Sequence, residues 1–138
     1  MFTPDTAQTR LRERGLRMTP QRRALLQVLE GDTSHPRAED VATRLAERMP
    51  GVSLSTVYKA LHEFADAGLV RELDLPGGLR FDPEVEDHVH VVCACCAHVE
   101  DLELPPDLRT RLATLAGADT VTGVDVRLAT ICPRCSTR

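Results

Sequence analysis

Cys93-Ala-Cys-Cys96 and Cys132-Pro-Arg-Cys135 place two C-x-x-C pairs in the rear of the chain. Each pair offers two thiolates from a tight turn, and two such pairs close a tetrahedral Zn(II) site of four sulfurs with no position left for a substrate. The chemistry this predicts is structural. The pairs lie about 35 residues apart, wider than a compact zinc finger, so the intervening chain must fold back to bring them together. Thioredoxin-like chemistry would use one C-x-x-C at a helix start after a strand, and here the motif occurs twice. The fifth cysteine, Cys95, is left over as a spare thiol.

A second constellation is built from nitrogen and oxygen. His88 and His90 are spaced i, i+2, which puts both imidazoles on one face if the segment is a strand. Asp82 and Asp87 precede or flank them, and Glu100-Asp101 would end the next strand. Mixed imidazole and carboxylate ligands suit Mn(II) or Fe(II) better than a thiolate zinc site does. By spacing alone, an acidic surface with two partly exposed histidines is the open alternative. His35, His62 and His98 stand singly and read as loop, capping or surface residues.

The elements that must position these groups fall into two kinds. Residues 6–14 predict a helix carrying Leu11 and ending at Gly15; Thr19-Pro20 predicts an N-cap followed by Pro at the first helical position, with Leu25, Val28 and Leu29 as the buried stripe. A third helix follows His35-Pro36 with Val41, Leu45 and Met49 on one face. A fourth starts at Ser53, which can cap Thr56, and keeps Val57, Leu61, Phe64 and Ala65 at helical spacing up to Gly68. Then the period changes: residues 69–75 and 79–81 flank Pro76-Gly-Gly as a β-hairpin. Helices with a helix-turn-helix rhythm followed by a hairpin make a winged helix, with the fourth helix in the major groove. Beyond the acidic stretch 82–87, strands are predicted at 88–92, 99–104 and 120–131 and a helix at 106–116.

The fold class is therefore α+β: an N-terminal winged helix-turn-helix over residues 1–81, a hinge at 82–87 and a small α/β dimerisation domain at 88–138. So small a rear domain buries little apolar core and needs a metal staple or a second copy. Charge follows the same division, +1 for residues 1–80 and −5 for the remainder, with six arginines among the first 23 residues. A basic front suits phosphate and an acidic rear suits cations. With one Tyr, three Phe and no Trp, stacking on single strands has little to work with, which favours duplex DNA. No run approaches the ~18 apolar residues of a membrane span, and Met1-Phe-Thr-Pro-Asp lacks a basic leader and an apolar core, so the expectation is a cytoplasmic protein.

Taken together, Gly15-Leu-Arg-Met-Thr-Pro-Gln-Arg22, Ser34-His-Pro-Arg-Ala-Glu-Asp40, Gly51-Val-Ser-Leu-Ser-Thr-Val-Tyr-Lys-Ala-Leu61, Ala67-Gly-Leu-Val70 and His88-x-His-x-x-Cys-x-x-Cys96 with the terminal C-x-x-C resemble the ferric uptake regulator (Fur) family. The likeness runs in order from about residue 10 to 135 and is most similar to the family's peroxide-sensing branch. It implies structural zinc on Cys93, Cys96, Cys132 and Cys135, and regulatory Fe(II) or Mn(II) on His35, Asp82, His88, His90 and Asp101. Aspartate rather than glutamate at 101 is similar to the peroxide sensors. DNA contacts are implied at Arg17, Arg22, Ser55, Thr56, Tyr58 and Lys59. Arg37 departs from the pattern, standing where the family commonly has a small capping residue.

The resemblance implies a homodimeric, metal-dependent repressor of a double-stranded DNA operator, not an enzyme. One ion held by both halves would select one relative orientation of the recognition helices. In the peroxide-sensing branch, Fe(II) and hydrogen peroxide lead to oxidation of a ligand histidine, here His35 or His88, with release of metal and DNA. The alternative is an iron or manganese uptake regulator without peroxide chemistry. A metal-dependent hydrolase would need an open coordination position and a general base, and no spare base is evident. A zinc-ribbon adaptor would show no Mn(II) or Fe(II) effect on DNA affinity.

Overall fold

The computed structural model describes residues 1–137, in two compact units divided after Val85. The first holds α1 (Pro4–Glu13), α2 (Pro20–Leu29), α3 (Ala38–Ala46) and α4 (Leu54–Asp66), followed by β1 (Arg71–Leu75) and β2 (Gly78–Asp82). Helices followed by a two-stranded wing form the winged helix-turn-helix expected from the pattern. No helix among the described residues is long and apolar enough to cross a membrane.

Local sequence explains each start. The side chains of Thr3, Thr19 and Ser53 accept the backbone N–H of Thr6, Arg22 and Thr56, satisfying donors that a helix N-terminus leaves open. Thr3-Pro4 repeats the Thr19-Pro20 signal, so α1 begins two residues ahead of the predicted start at residue 6. At α3, Arg37 has no acceptor to offer, and only half of a capping box is made: the Asp40 carboxylate takes the Arg37 N–H at 3.0 Å.

The core joins one face from every helix: Leu11, Leu25, Leu29, Val41, Leu45, Val57, Leu61 and Phe64, closed by Leu69 and Phe81. In α2 the buried stripe is Leu25, Leu26 and Leu29, with Val28 only partly covered. Met49 lies past the end of α3 and also packs at the edge of the core. Truncating Phe64, wholly buried here, would cost about 3–5 kcal/mol.

The second unit, from Glu86, holds β3 (His88–Cys93), β4 (Val99–Glu103), α5 (Pro106–Ala116), β5 (Val126–Thr130) and a short α6 (Pro133–Ser136). Its sheet has the order β4-β3-β5, β3 running antiparallel to β4 and parallel to β5. A parallel pair needs a crossover, and α5 with residues 117–125 supplies it. The last strand is shorter than the predicted 120–131, and the helix after it was not predicted. Burial here is sparse: no residue of α5 is buried, and Leu102, Leu112, Leu115, Leu128 and Ile131 are exposed.

Candidate metal centres and nucleic-acid face

The parallel register explains how distant cysteines meet. Cys93 ends β3 opposite Thr130 of β5, so Cys132 arrives beside it, and the Cys132 N–H donates to Cys93 Sγ at 3.4 Å. A tight turn after Cys93, held by Ala97 N–H to the Cys93 carbonyl at 2.9 Å, returns the chain to β4 and carries Cys96. The sulfurs of Cys93, Cys96, Cys132 and Cys135 can all lie within 4.8 Å of one another. Cys96 and Cys132 are 3.8 Å apart, far beyond a disulfide and equal to the edge of about 3.8 Å that Zn–S bonds of about 2.3 Å give a tetrahedron.

Electrostatics agree with a cation at the centre. N–H groups of Cys132 and Cys96 directed at its sulfur bring the Cys93 thiol down to about 6. The Cys132 thiol is also lowered, first by the Cys135 N–H. Cys135 is pushed the other way by the neighbouring sulfurs, Cys95 first and then Cys132. Thiolates so crowded cannot all ionise without a positive charge among them. The donor set fits Zn(II), which would hold the two turns together. Cys95 is exposed and, like the other four cysteines, forms no disulfide.

In the same unit, His88 and His90 lie on one face of β3, with ring centroids 4.3 Å apart. The β3–β4 register pairs His90 with Asp101 and Val91 with Glu100. Paired residues share a face, so Asp101 joins the histidines, while Glu100 turns to the other side and meets His98 at 3.2 Å. Asp101 Oδ1 stands 3.4 Å from His88 Nε2 and 3.6 Å from His90 Nε2. His88 Nδ1–H donates to the Glu86 carbonyl at 2.7 Å, which leaves the lone pair on Nε2, the nitrogen that faces Asp101. Asp87, whose type also suits a ligand, is engaged by the Arg109 guanidinium.

In the first unit, His35 and Asp82 form a second pair, Nε2 to Oδ2 3.5 Å, both nearly inaccessible. The Phe81 N–H donates to the Pro36 carbonyl at 2.8 Å, tying the His35 loop to the end of the wing. His35 adopts φ 52°, which a residue before proline rarely takes, and that turn carries its ring to Asp82. The other Asp82 oxygen accepts the Glu84 N–H at 2.9 Å. Asp82, read in sequence as part of the connecting stretch, is the last residue of β2. Buried imidazoles and carboxylates call for charge partners, and neutral imidazole with carboxylate is a donor set for Mn(II) or Fe(II).

The residues expected on DNA sort by exposure. Ser55 and Lys59 on α4 and Arg17 ahead of α2 are exposed, and Thr56 and Tyr58 are half-buried. Arg22 is committed within the fold, donating to the Arg17 carbonyl at 2.7 Å and to Glu63 Oε2 at 2.9 Å, which ties α2 to α4. The Tyr58 hydroxyl donates to the Glu39 carboxylate at 3.1 Å, and that bond raises its pKa. The Glu86, Glu39 and Glu63 partners were not foreseen: a backbone acceptor has no sequence signature, and the two carboxylates look like ordinary surface charge.

A family model described as the ferric uptake regulator family matches residues 13–131. A peroxide operon regulator of Bacillus subtilis is 35% identical over 128 residues, covering 91% of this chain and 88% of that protein. Among solved structures, the ferric uptake regulator of Pseudomonas aeruginosa with manganese superposes with TM-score 0.78 at 27% identity, over 92% of this chain and 98% of the other. The Campylobacter jejuni peroxide stress regulator superposes with TM-score 0.74 at 26% identity, over 98% and 100%.

Proposed function

The chain belongs to the ferric uptake regulator family, and on that premise we propose that it is a dimeric repressor that binds duplex DNA in a metal-dependent way and responds to peroxide. Family members are DNA-binding transcriptional regulators that work as dimers, and they are not enzymes. The observation that carries the metal reading is the convergence of two histidine nitrogens on one Asp101 oxygen, with the His88 ring fixed by Glu86.

We assign the regulatory ion to His35, Asp82, His88, His90 and Asp101. The first two belong to the winged-helix unit and the other three to the sheet unit, joined by a hinge within residues 82–87. Full coordination is then available in one relative arrangement of the units only, and a ligand shifts such an equilibrium by its differential affinity for the two states. Bound Fe(II) would supply reduction of hydrogen peroxide, ending in oxidation of a coordinating imidazole, His35 or His88. Loss of that ligand frees the units and releases DNA. Zinc on the four cysteines would staple the sparsely buried second unit, whose exposed Leu102, Leu112, Leu115, Leu128 and Ile131 suit a second copy of the chain.

On the DNA side, Ser55, Thr56, Tyr58 and Lys59 would face the major groove, with Arg17 and Arg22 supplying phosphate contacts. The place of action is the cytoplasm. The peroxide reading is supported over a plain iron or manganese uptake regulator by aspartate at 101 and by the names of the Bacillus and Campylobacter proteins.

The test is a mobility-shift assay on the protein's own promoter with and without Mn(II), comparing wild type with His88→Ala. A shift that needs Mn(II) and is lost in the variant is expected. Equal affinity in all lanes overturns the reading.

A further inference from the structure

Arg37 occupies a peculiar place. Its backbone caps α3 poorly, and a cation at a helix N-terminus opposes the helix dipole. The side chain runs instead to the wing. A Cβ placed on Gly77, in the wing turn, would lie 2.7 Å from Arg37 Nη2 and 3.7 Å from Cζ, so the guanidinium rests directly on that glycine. Gly77 also has φ +89°, which excludes larger residues on backbone grounds.

Four other arginines of this unit are engaged within the fold: Arg10 by the Gly68 carbonyl, Arg22 by Glu63, Arg44 by Asp32 and Arg48 by Gln27. The Arg37 guanidinium is matched to no acceptor among the described residues. Its charge is also felt at the Tyr58 hydroxyl, where it opposes the neighbouring Glu39. It therefore stands between the wing turn and the exposed face of α4.

The turn itself carries no charge: residues 75–79 are Leu-Pro-Gly-Gly-Leu, flanked by Asp74 on β1 and Arg80 on β2.

We propose that Arg37 is a DNA-backbone contact: the residue before α3 sets a positive charge on the uncharged turn of the wing, and a duplex phosphate is its partner. This rests on the DNA-binding reading above and adds to it a residue outside α4. A guanidinium held against a bare glycine surface is presented to the duplex with little freedom left to lose.

The experiment is fluorescence anisotropy of the Mn(II)-loaded full chain on a labelled duplex from its own promoter, across a range of salt concentrations. Each phosphate contact contributes about 0.9 to the slope of log affinity against log salt. Arg37→Ala should lower the slope by about 0.9 per protomer and weaken binding about eight-fold per contact at about 0.1 M salt. Arg37→Gln keeps most of the aliphatic stem over Gly77 and should lose the same slope, while Arg37→Lys should keep it. Mn(II) affinity and thermal midpoint should match wild type in the Gln and Lys variants. A wild-type slope in Arg37→Gln overturns the proposal and leaves the repressor reading intact. A wild type that binds no duplex overturns both.

Discussion

His88 Nε2 and Asp101 Oδ1 face each other at 3.4 Å, while the opposite ring nitrogen of His88 donates its proton to the Glu86 carbonyl. In the neutral ring the facing atoms are two lone-pair bearers, an arrangement that a divalent cation between them would satisfy. Removing either should weaken Mn(II) at least as much as the ~10–100-fold that loss of an outer-sphere partner costs. Titration calorimetry of His88→Ala and Asp101→Ala should show this, with Glu100→Ala close to wild type because Glu100 lies on the other face of β4. A Glu100 variant as weak as Asp101→Ala would contradict the register argument.

The sulfur tetrad makes a separate prediction about folding. With no buried residue in α5 and few elsewhere, the second unit lacks the apolar core to stand alone. Structural zinc is worth about 10–16 kcal/mol of folding free energy in small metal-dependent domains. Stripping the metal, or Cys132→Ser, should abolish hydrogen-exchange protection in β3 while the Phe64 core of the first unit keeps its protection. Unchanged β3 protection after zinc removal would show that the sheet needs no staple.

Asp32 supports the loop that carries His35. One carboxylate oxygen accepts the Ser34 N–H at 2.8 Å and the other meets the Arg44 guanidinium. Burial raises the Asp32 pKa, but the bonds from Ser34 and Arg44 outweigh it and the net shift is downward. A depressed folded-state pKa gives stability that is present above the unfolded value of about 3.8 and is lost as pH falls through the folded value. Asp32→Asn should therefore be less stable than wild type by about 0.5–1 kcal/mol at pH 7, and the gap should close toward pH 3 in urea melts. A gap independent of pH would point to packing rather than charge.

Much of this was legible because short-range chemistry has short-range signatures. The C-x-x-C pairs, the Thr19-Pro20 and Ser53 caps and the His88-x-His90 alternation each announce themselves within a few residues. Long-range pairing does not. Nothing near His35 says that its ring meets Asp82, 47 positions away by number, since the contact depends on a positive φ before proline and on one hydrogen bond to Phe81; only the family resemblance singled it out. The choice between Glu100 and Asp101 likewise needed the strand register. Leu26 rather than Val28 in the core reflects the rotation of α2 against its neighbours, which a stripe of apolar positions on one helix underdetermines.

Under the proposed DNA contacts, Arg22 would serve both the fold and the duplex. Its bond to Glu63 crosses from α2 to α4, so a double-mutant cycle of Arg22→Ala and Glu63→Gln should give a coupling of about 0.5–1 kcal/mol in thermal or urea melts. Only Arg22→Ala removes a positive charge, and it should weaken DNA binding and flatten its salt dependence, whereas Glu63→Gln should not. Equal DNA effects from the two would mean that Arg22 acts by holding α4 rather than by touching phosphate.

The peroxide reading is tested on the ligand imidazoles themselves. Wild type incubated with Fe(II) and hydrogen peroxide should gain one oxygen atom on a peptide containing His35 or His88, and DNA release should follow the extent of that gain. Mn(II) in place of Fe(II) should protect, because Mn(II) does not share the one-electron chemistry with peroxide that iron has. Asp101→Glu retains a carboxylate but lengthens it by one methylene, which alters how the metal is held against the His88 and His90 nitrogens that now face Asp101 at 3.4 and 3.6 Å. That variant should still bind DNA with Mn(II) and should oxidise more slowly. DNA release that follows chelation only, with no added oxygen on either peptide, would leave a regulator that reads metal concentration alone.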